Sequence, residues 1–114
     1  MEFKITDQEL KRIDEDKIVA GNKEIFATFE FSEEWSKIGK LAFFRHLSEE
    51  HGYTMIIYRG KCKVPWEVVK DGYFTVTVYG GEERETRKRI TTTTEKIRVF
   101  TSGRGRIKAR NSFL

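Results

Sequence analysis

The chain has 114 residues and a mass of 13.5 kDa, enough for one buried core and too few for two independent ones. A hydrophobic content of 38%, with 13% aromatics, excludes intrinsic disorder although 35% of the residues are charged. Twenty-two Lys and Arg against eighteen Asp and Glu leave +4, and the single cysteine, Cys62, excludes the disulfide-built secreted scaffolds.

The opening MEFKITDQEL lacks the apolar run of an export signal, and no stretch reaches the roughly 18 apolar residues of a membrane span, so a soluble protein made in a reducing compartment is expected. FKIT near the start, ELKRI from Glu9 and DKIVA ending at Ala20 predict short strands. In EIFATFEF, Ile25, Ala27, Phe29 and Phe31 alternate with Phe26, Thr28 and Glu30, the period of a half-buried strand. KLAFFRH is a further strand, and TMIIYRGKCKV is β-rich with a tight turn at Gly60. There Ile56 and Tyr58 oppose Met55 and Ile57, so both faces are apolar and cover is expected on both. Pro65 precedes WEVVK and predicts a single helical turn. In YFTVTVYG, Phe74, Val76 and Val78 oppose Tyr73, Thr75, Thr77 and Tyr79, and in EKIRVF Ile97 and Val99 oppose Lys96 and Arg98. Gly21, Gly39, Gly52, Gly60, Gly72 and the Gly80–Gly81 pair fall between these runs and predict chain reversals or close approaches. The run of threonines at 91–94 predicts an extended segment.

The expected architecture is therefore all-β: an antiparallel sandwich of about eight short strands with one helical turn, spanning residues 1–101. After it comes SGRGRIKARNSFL, residues 102–114, which holds Arg104, Arg106, Lys108 and Arg110 and no acid, so that residues 1–101 are charge-balanced. The expected role of this segment is a basic attachment arm, with Phe113 and Leu114 as its apolar end.

Catalysis has little to work with. Two histidines and one cysteine cannot build the usual nucleophile or ligand sets. His46 and His51 flank Glu49 and Glu50 without a metal-ligand spacing and read as a solvated loop, and the pairs Glu33–Glu34 and Asp14–Glu15–Asp16 read as solvated turns. Cys62 reads as a small buried hydrophobe, and GRGR at 103–106 lacks the lysine and context of a phosphate loop. No enzyme activity, cofactor or metal is expected. A single-stranded nucleic-acid binder is the alternative, with Tyr73, Thr75, Thr77 and Tyr79 as a stacking face beside Arg84, Arg87, Lys88 and Arg89, although Glu82, Glu83 and Glu85 nearly cancel that charge.

Five phrases in order, FEFSEEW (29–35), LAFFRH (41–46), KCKVPWEVVK (61–70), GYFTVTVYG (72–80) and RITTT (89–93), resemble a β-sandwich module of virion proteins from bacteriophages and prophages of Gram-positive bacteria, often the N-terminal domain of fibre or baseplate proteins. The resemblance implies an immunoglobulin-like sandwich with Phe29, Phe31, Trp35, Phe43, Cys62, Pro65, Trp66, Phe74, Val76 and Val99 as core, Trp35 and Trp66 sealing the space between sheets. It also implies a non-enzymatic structural protein of the virion, synthesised in the host bacterial cytoplasm. Such a protein docks on capsid, tail or baseplate subunits as a decoration, fibre base or adaptor, and a homo-oligomer is compatible with that role. Family members often continue into a long fibre, whereas this chain stops thirteen residues after Thr101, which points away from a complete receptor-binding fibre. A small antirestriction or inhibitor protein of phage origin is the remaining expectation.

Overall fold

A computed structural model describes residues 1–82 and 85–101, with the backbone alone for 82 and 85–89. The described chain is all-β. Ten strands run in order: β1 (Glu2–Thr6), β2 (Glu9–Arg12), β3 (Ile18–Val19), β4 (Phe26–Phe31), β5 (Gly39–His46), β6 (Tyr53–Ile56), β7 (Lys61–Lys63), β8 (Gly72–Glu82), β9 (Glu85–Thr91) and β10 (Glu95–Phe100). Two single 3₁₀ turns, Glu33–Trp35 and Trp66–Val68, interrupt them, the second entered from Pro65.

The strands form two sheets, one four-stranded in the order β2-β1-β4-β7 and one six-stranded in the order β3-β10-β8-β5-β6, with β9 also paired to β8. Most pairs are antiparallel, but two are parallel: β1 with β4, where Phe3 lies opposite Phe29, and β10 with β3. The antiparallel arrangement expected of the sandwich is thus corrected at these two pairs. The chain leaves β1 through the β1–β2 hairpin, crosses to the other sheet at β3, and returns on the far side of β1.

The alternating pattern sets which side of each strand is buried. On the four-stranded sheet, Phe3 and Phe29 stack at 5.1 Å, Phe29 and Phe31 at 6.0 Å, and Phe31 meets Trp35 at 5.5 Å, an aromatic row that crosses the strands. On the six-stranded sheet, Ala42, Phe44 and His46 of β5 lie in register with Val78, Val76 and Phe74 of β8, and Ile97 of β10 lies opposite Phe74. Phe3, Phe29, Trp35, Ala42, Phe44, Phe74, Val76, Val78 and Ile97 belong to one buried cluster between the two sheets, with Phe31 packed against it. Trp35 is its largest member, and its indole N–H donates to Asp7 O at 2.6 Å.

Gly80 is where Trp35 enters that cluster. A Cβ at Gly80 would sit 2.7 Å from Trp35 Cζ3 and 2.8 Å from Ile38 Cδ1. The Gly80–Gly81 pair therefore does not end a strand, as its composition suggests, but lies inside β8 and clears the space for the indole.

Three core assignments change. Phe43 belongs to the outer face of the six-stranded sheet: adjacent residues on a strand point to opposite sides, and Phe44 occupies the core position. Trp66 is 55% exposed, because the 3₁₀ turn it opens offers its inward positions to Val68 and Val69, while the Lys23 ammonium stands 5.1 Å above its ring. Phe31 is half-buried, between Phe29 and Trp35 in the aromatic row. Phe29, Trp35, Cys62, Pro65, Phe74, Val76 and Val99 are buried.

The threonine run is more than an extended segment. Val78 and Thr92 exchange bonds, Thr92 N–H to Val78 O (3.0 Å) and Val78 N–H to Thr92 Oγ1 (2.9 Å), and Thr94 Oγ1 meets Thr77 Oγ1 at 2.8 Å. Thr93 reaches the other sheet, its N–H donating to Gln8 O (2.8 Å) and its hydroxyl oxygen accepting from Leu10 N–H (3.1 Å). Arg12 N–H completes the seam by donating to Glu95 Oε2 at 3.0 Å. The Thr93 hydroxyl and the Glu95 carboxylate thereby satisfy donors on the outer edge of β2, the kind of edge that otherwise templates aggregation.

Candidate functional site

The chemistry-bearing residues are mostly engaged in structure. His46 is buried, not part of a solvated loop: its Nε2 lies 2.9 Å from Asp71 O, which can only accept, and its Nδ1 receives Ser48 N–H at 3.1 Å. In this arrangement Nε2 donates and Nδ1 accepts, so both ring nitrogens are engaged within the fold. His51 is exposed, and among the described residues no group of His, Cys, Asp and Glu gathers to hold a metal ion. Cys62 is buried on β7, and desolvation pushes its thiol up to about 11, consistent with a packing role.

The acidic clusters are likewise accounted for. Asp14 takes a two-point ion pair from Arg12 (2.8 and 3.0 Å) and a bond from Glu2 N–H (2.8 Å), which together hold its carboxyl well below the usual range. Ser32 Oγ joins Asp7 to Glu34, accepting from Asp7 N–H at 2.9 Å and approaching Glu34 Oε1 at 2.5 Å. Hydrogen bonding and charge from Glu34 push the Asp7 carboxyl up, at an exposed turn.

What remains is the outer face of the six-stranded sheet. Register places Ile56 opposite Leu41, Leu41 opposite Tyr79, and Tyr79 opposite Thr91, one continuous row across β6, β5, β8 and β9. Ile56 is 74% exposed, and Leu41 and Tyr79 are each exposed by about two fifths (39% and 43%). The next row is Thr54, Phe43 and Thr77, with Phe43 sheltered by the close backbone of Gly52. Beyond it the face turns cationic, with Arg45 opposite Thr75, Thr75 opposite Lys96, and Tyr73 opposite Arg98. Lys96 Nζ lies 4.5 Å above Tyr73, Arg98 lies 4.6 Å above the Phe100 ring, and Arg45 donates to Glu49 O at 2.7 Å.

The face is thus divided into an apolar half and a half whose cations are laid over its aromatics. The expected stacking set separates accordingly: Tyr79 stands in the apolar row, Thr77 is buried against Thr94, and Tyr73 is as exposed as Leu41 but carries the Lys96 ammonium over its ring. Arg84 and the side chains of Arg87, Lys88 and Arg89 lie outside the described residues, as do Arg104, Arg106, Lys108, Arg110, Phe113 and Leu114 of the expected arm. Sequence reasoning singled out Ile56 and Tyr58 from the apolar second face of their strand. It missed Leu41, whose place beside Ile56 depends on the β5–β6 register.

An Ile–Leu–Tyr row can exclude water from a matching surface, which is binding chemistry rather than bond-making chemistry. Comparison with known proteins finds no matching family model, no matching curated protein and no matching solved structure.

Proposed function

We propose that this protein is a non-enzymatic structural component of a bacteriophage particle, an immunoglobulin-like sandwich that docks on a neighbouring virion subunit through the outer face of its six-stranded sheet. The observation that carries the reading is the exposed row Ile56–Leu41–Tyr79, a contiguous apolar strip on a face that a free sandwich would leave polar. The ordered phrases from FEFSEEW to RITTT supply the virion context, and the basic segment 102–114 supplies a second contact for acidic subunit surfaces.

The test is the presence of the protein in purified particles, compared between the parent chain and Ile56→Asp. Ile56 has most of its side chain in water, so the variant should fold like the parent. An aspartate buried unpaired at the contact should reduce incorporation about tenfold or more. Absence of the parent from particles, or normal incorporation of the variant, would remove this reading. A titration with a labelled single-stranded oligonucleotide at two salt concentrations addresses the alternative. Affinity that falls steeply with salt would replace docking by nucleic-acid binding.

A further inference from the structure

The two outer faces of the molecule carry their charges differently. On the four-stranded sheet cations and acids are mixed: Lys4 lies opposite Glu30 on one side and Lys11 on the other, and Thr6 lies opposite Glu9. On the six-stranded sheet, the outward positions of β5, β6 and β10, and of β8 from Tyr73 to Tyr79, hold Arg45, Lys96 and Arg98 and, among these described residues, no Asp or Glu. Acids close to these cations in the chain are turned elsewhere. Glu95 accepts from Arg12 N–H at 3.0 Å, and Glu49 pairs with Lys70 at 2.7 Å while its backbone oxygen meets Arg45. Among the described residues, none of the three cations pairs with a carboxylate.

The same cations are held in place. Lys96 lies over Tyr73, Arg98 lies over Phe100 with Lys17 5.2 Å from the same ring, and one Arg45 nitrogen is fixed on Glu49 O. A cation held in this way loses little side-chain freedom when it meets an anion, which removes part of the cost that makes most exposed ion pairs weak. Arg45 keeps its other N–H donors in a planar fork, the shape that grips a carboxylate at two points. Cationic and apolar halves also share one continuous face. Leu41 and Arg45 are four positions apart on β5, and Tyr79 and Tyr73 six apart on β8, or about 13 and 20 Å at ~3.3 Å per residue. β10 ends at Phe100, and from this cationic end the chain continues into 102–114, with Arg104, Arg106, Lys108 and Arg110 and no acid.

We propose that the polypeptide docked on this face carries a cluster of carboxylates about 13–20 Å from the apolar patch that covers Ile56, Leu41 and Tyr79, and sets those carboxylates on Arg45, Lys96 and Arg98. The inference rests on the docking reading and names the chemistry of the partner. The occupant is a polypeptide because a single surface must offer apolar side chains to one half of the face and anions to the other. A nucleic acid could bring phosphates to the cations, but the Tyr73 and Phe100 rings on which its bases would stack already carry those cations. Its charged backbone would also leave the Ile56–Leu41–Tyr79 row without an apolar cover.

The probe is an acetylated and amidated peptide of three leucines, four serines and four glutamates, whose serine spacer spans about 13 Å when extended. A twin carries glutamine in place of glutamate, and a pentathymidylate with four phosphates matches the acidic peptide in charge. Each is titrated into the full chain labelled for amide NMR. The acidic peptide should shift the amides of Leu41 and Tyr79 together with those of Arg45, Lys96 and Arg98. The glutamine twin should bind about tenfold more weakly, the effect of losing two or three ion pairs. Lys96→Glu combined with Arg98→Glu, both at exposed positions, should weaken the acidic peptide by at least the same factor and leave the twin unchanged. If that double variant fails to fold, the two peptides on the parent chain still decide the matter. Acidic peptide and twin bound within twofold of each other, no saturable binding of the acidic peptide, or tighter binding of the pentathymidylate would each overturn the inference. Failure of the docking reading is seen separately: equal affinity of the acidic peptide for the parent and for Ile56→Asp, with the twin still discriminated against, removes the apolar row as a contact and upholds the carboxylate preference of the cations.

Discussion

Gly80→Ala sets two known effects against each other in one substitution. Gly80 has no positive φ, so alanine can adopt its backbone, and the reduced entropy of the unfolded chain by itself would stabilise the protein by about 0.4–1 kcal/mol. Against that, the new methyl would lie 2.7 Å from Trp35 Cζ3, 3.0 Å from Trp35 Cε3 and 2.8 Å from Ile38 Cδ1. Trp35 has no freedom to retreat, being fully buried, packed against Phe31 at a tilt and tied to Asp7 O through its indole N–H. Overpacking of a rigid core costs about 1–3 kcal/mol, so a net loss of up to about 2.6 kcal/mol is expected. Urea denaturation followed by far-ultraviolet circular dichroism measures it as a lower midpoint at unchanged slope. A double-mutant cycle with Trp35→Ala locates the cause. Trp35→Ala alone should cost about 3–5 kcal/mol, and adding Gly80→Ala to it should cost much less than it does in the parent, because the clashing ring is gone and Ile38, the other close neighbour, can move into the space it left. A Gly80→Ala variant at least as stable as the parent, or losses that simply add, would refute the account of Gly80 as the indole's clearance.

Trp66→Ala should shift the denaturation midpoint by less than about 1 kcal/mol, since the exposed indole contributes mainly its Lys23 cation–π contact; a loss of about 3 kcal/mol or more would place it in the core after all. Asp14, its carboxyl depressed by Arg12, contributes stability that is fully present above the ordinary aspartate value of ~3.9 and is lost as pH falls below it. Asp14→Asn should therefore flatten the acid limb of a plot of thermal midpoint against pH, and an unchanged limb would show that other carboxylates set it. Cys62, with its thiol pushed up to about 11, should react with a disulfide reagent at pH 8 only as fast as the protein opens, and at full speed in denaturant. Prompt labelling of the native protein would contradict its burial.

Several local features are legible in the amino-acid sequence because each depends on a few neighbouring residues. Period-two alternation in EIFATFEF and EKIRVF names the inward set, since successive side chains on a strand must point to opposite faces, and Ile25, Ala27, Phe29, Ile97 and Val99 are buried as that rule requires. The turn at Gly60 and the 3₁₀ turn after Pro65 follow from glycine's freedom to take positive φ and from proline's fixed φ without an N–H, both properties of the residues themselves. Long-range pairing is another matter. Alternation offers two faces in AFFR without saying which meets the core, and only the β5–β8 register gives the interior to Ala42 and Phe44 and leaves Phe43 outside. In VPWEVVK the largest apolar residue looks like the core residue, yet inward positions go to whichever side chains the turn directs inward, here Val64, Val68 and Val69. Gly80 of β8 gains its meaning from Trp35, forty-five positions earlier in the chain, and the hydroxyls of Thr92, Thr93 and Thr94 gain theirs from Val78, Leu10 and Thr77. A stretch that reads as one hairpin is divided between two sheets because β5 and β4 compete for its arms, and that contest is decided by contacts between distant parts of the chain.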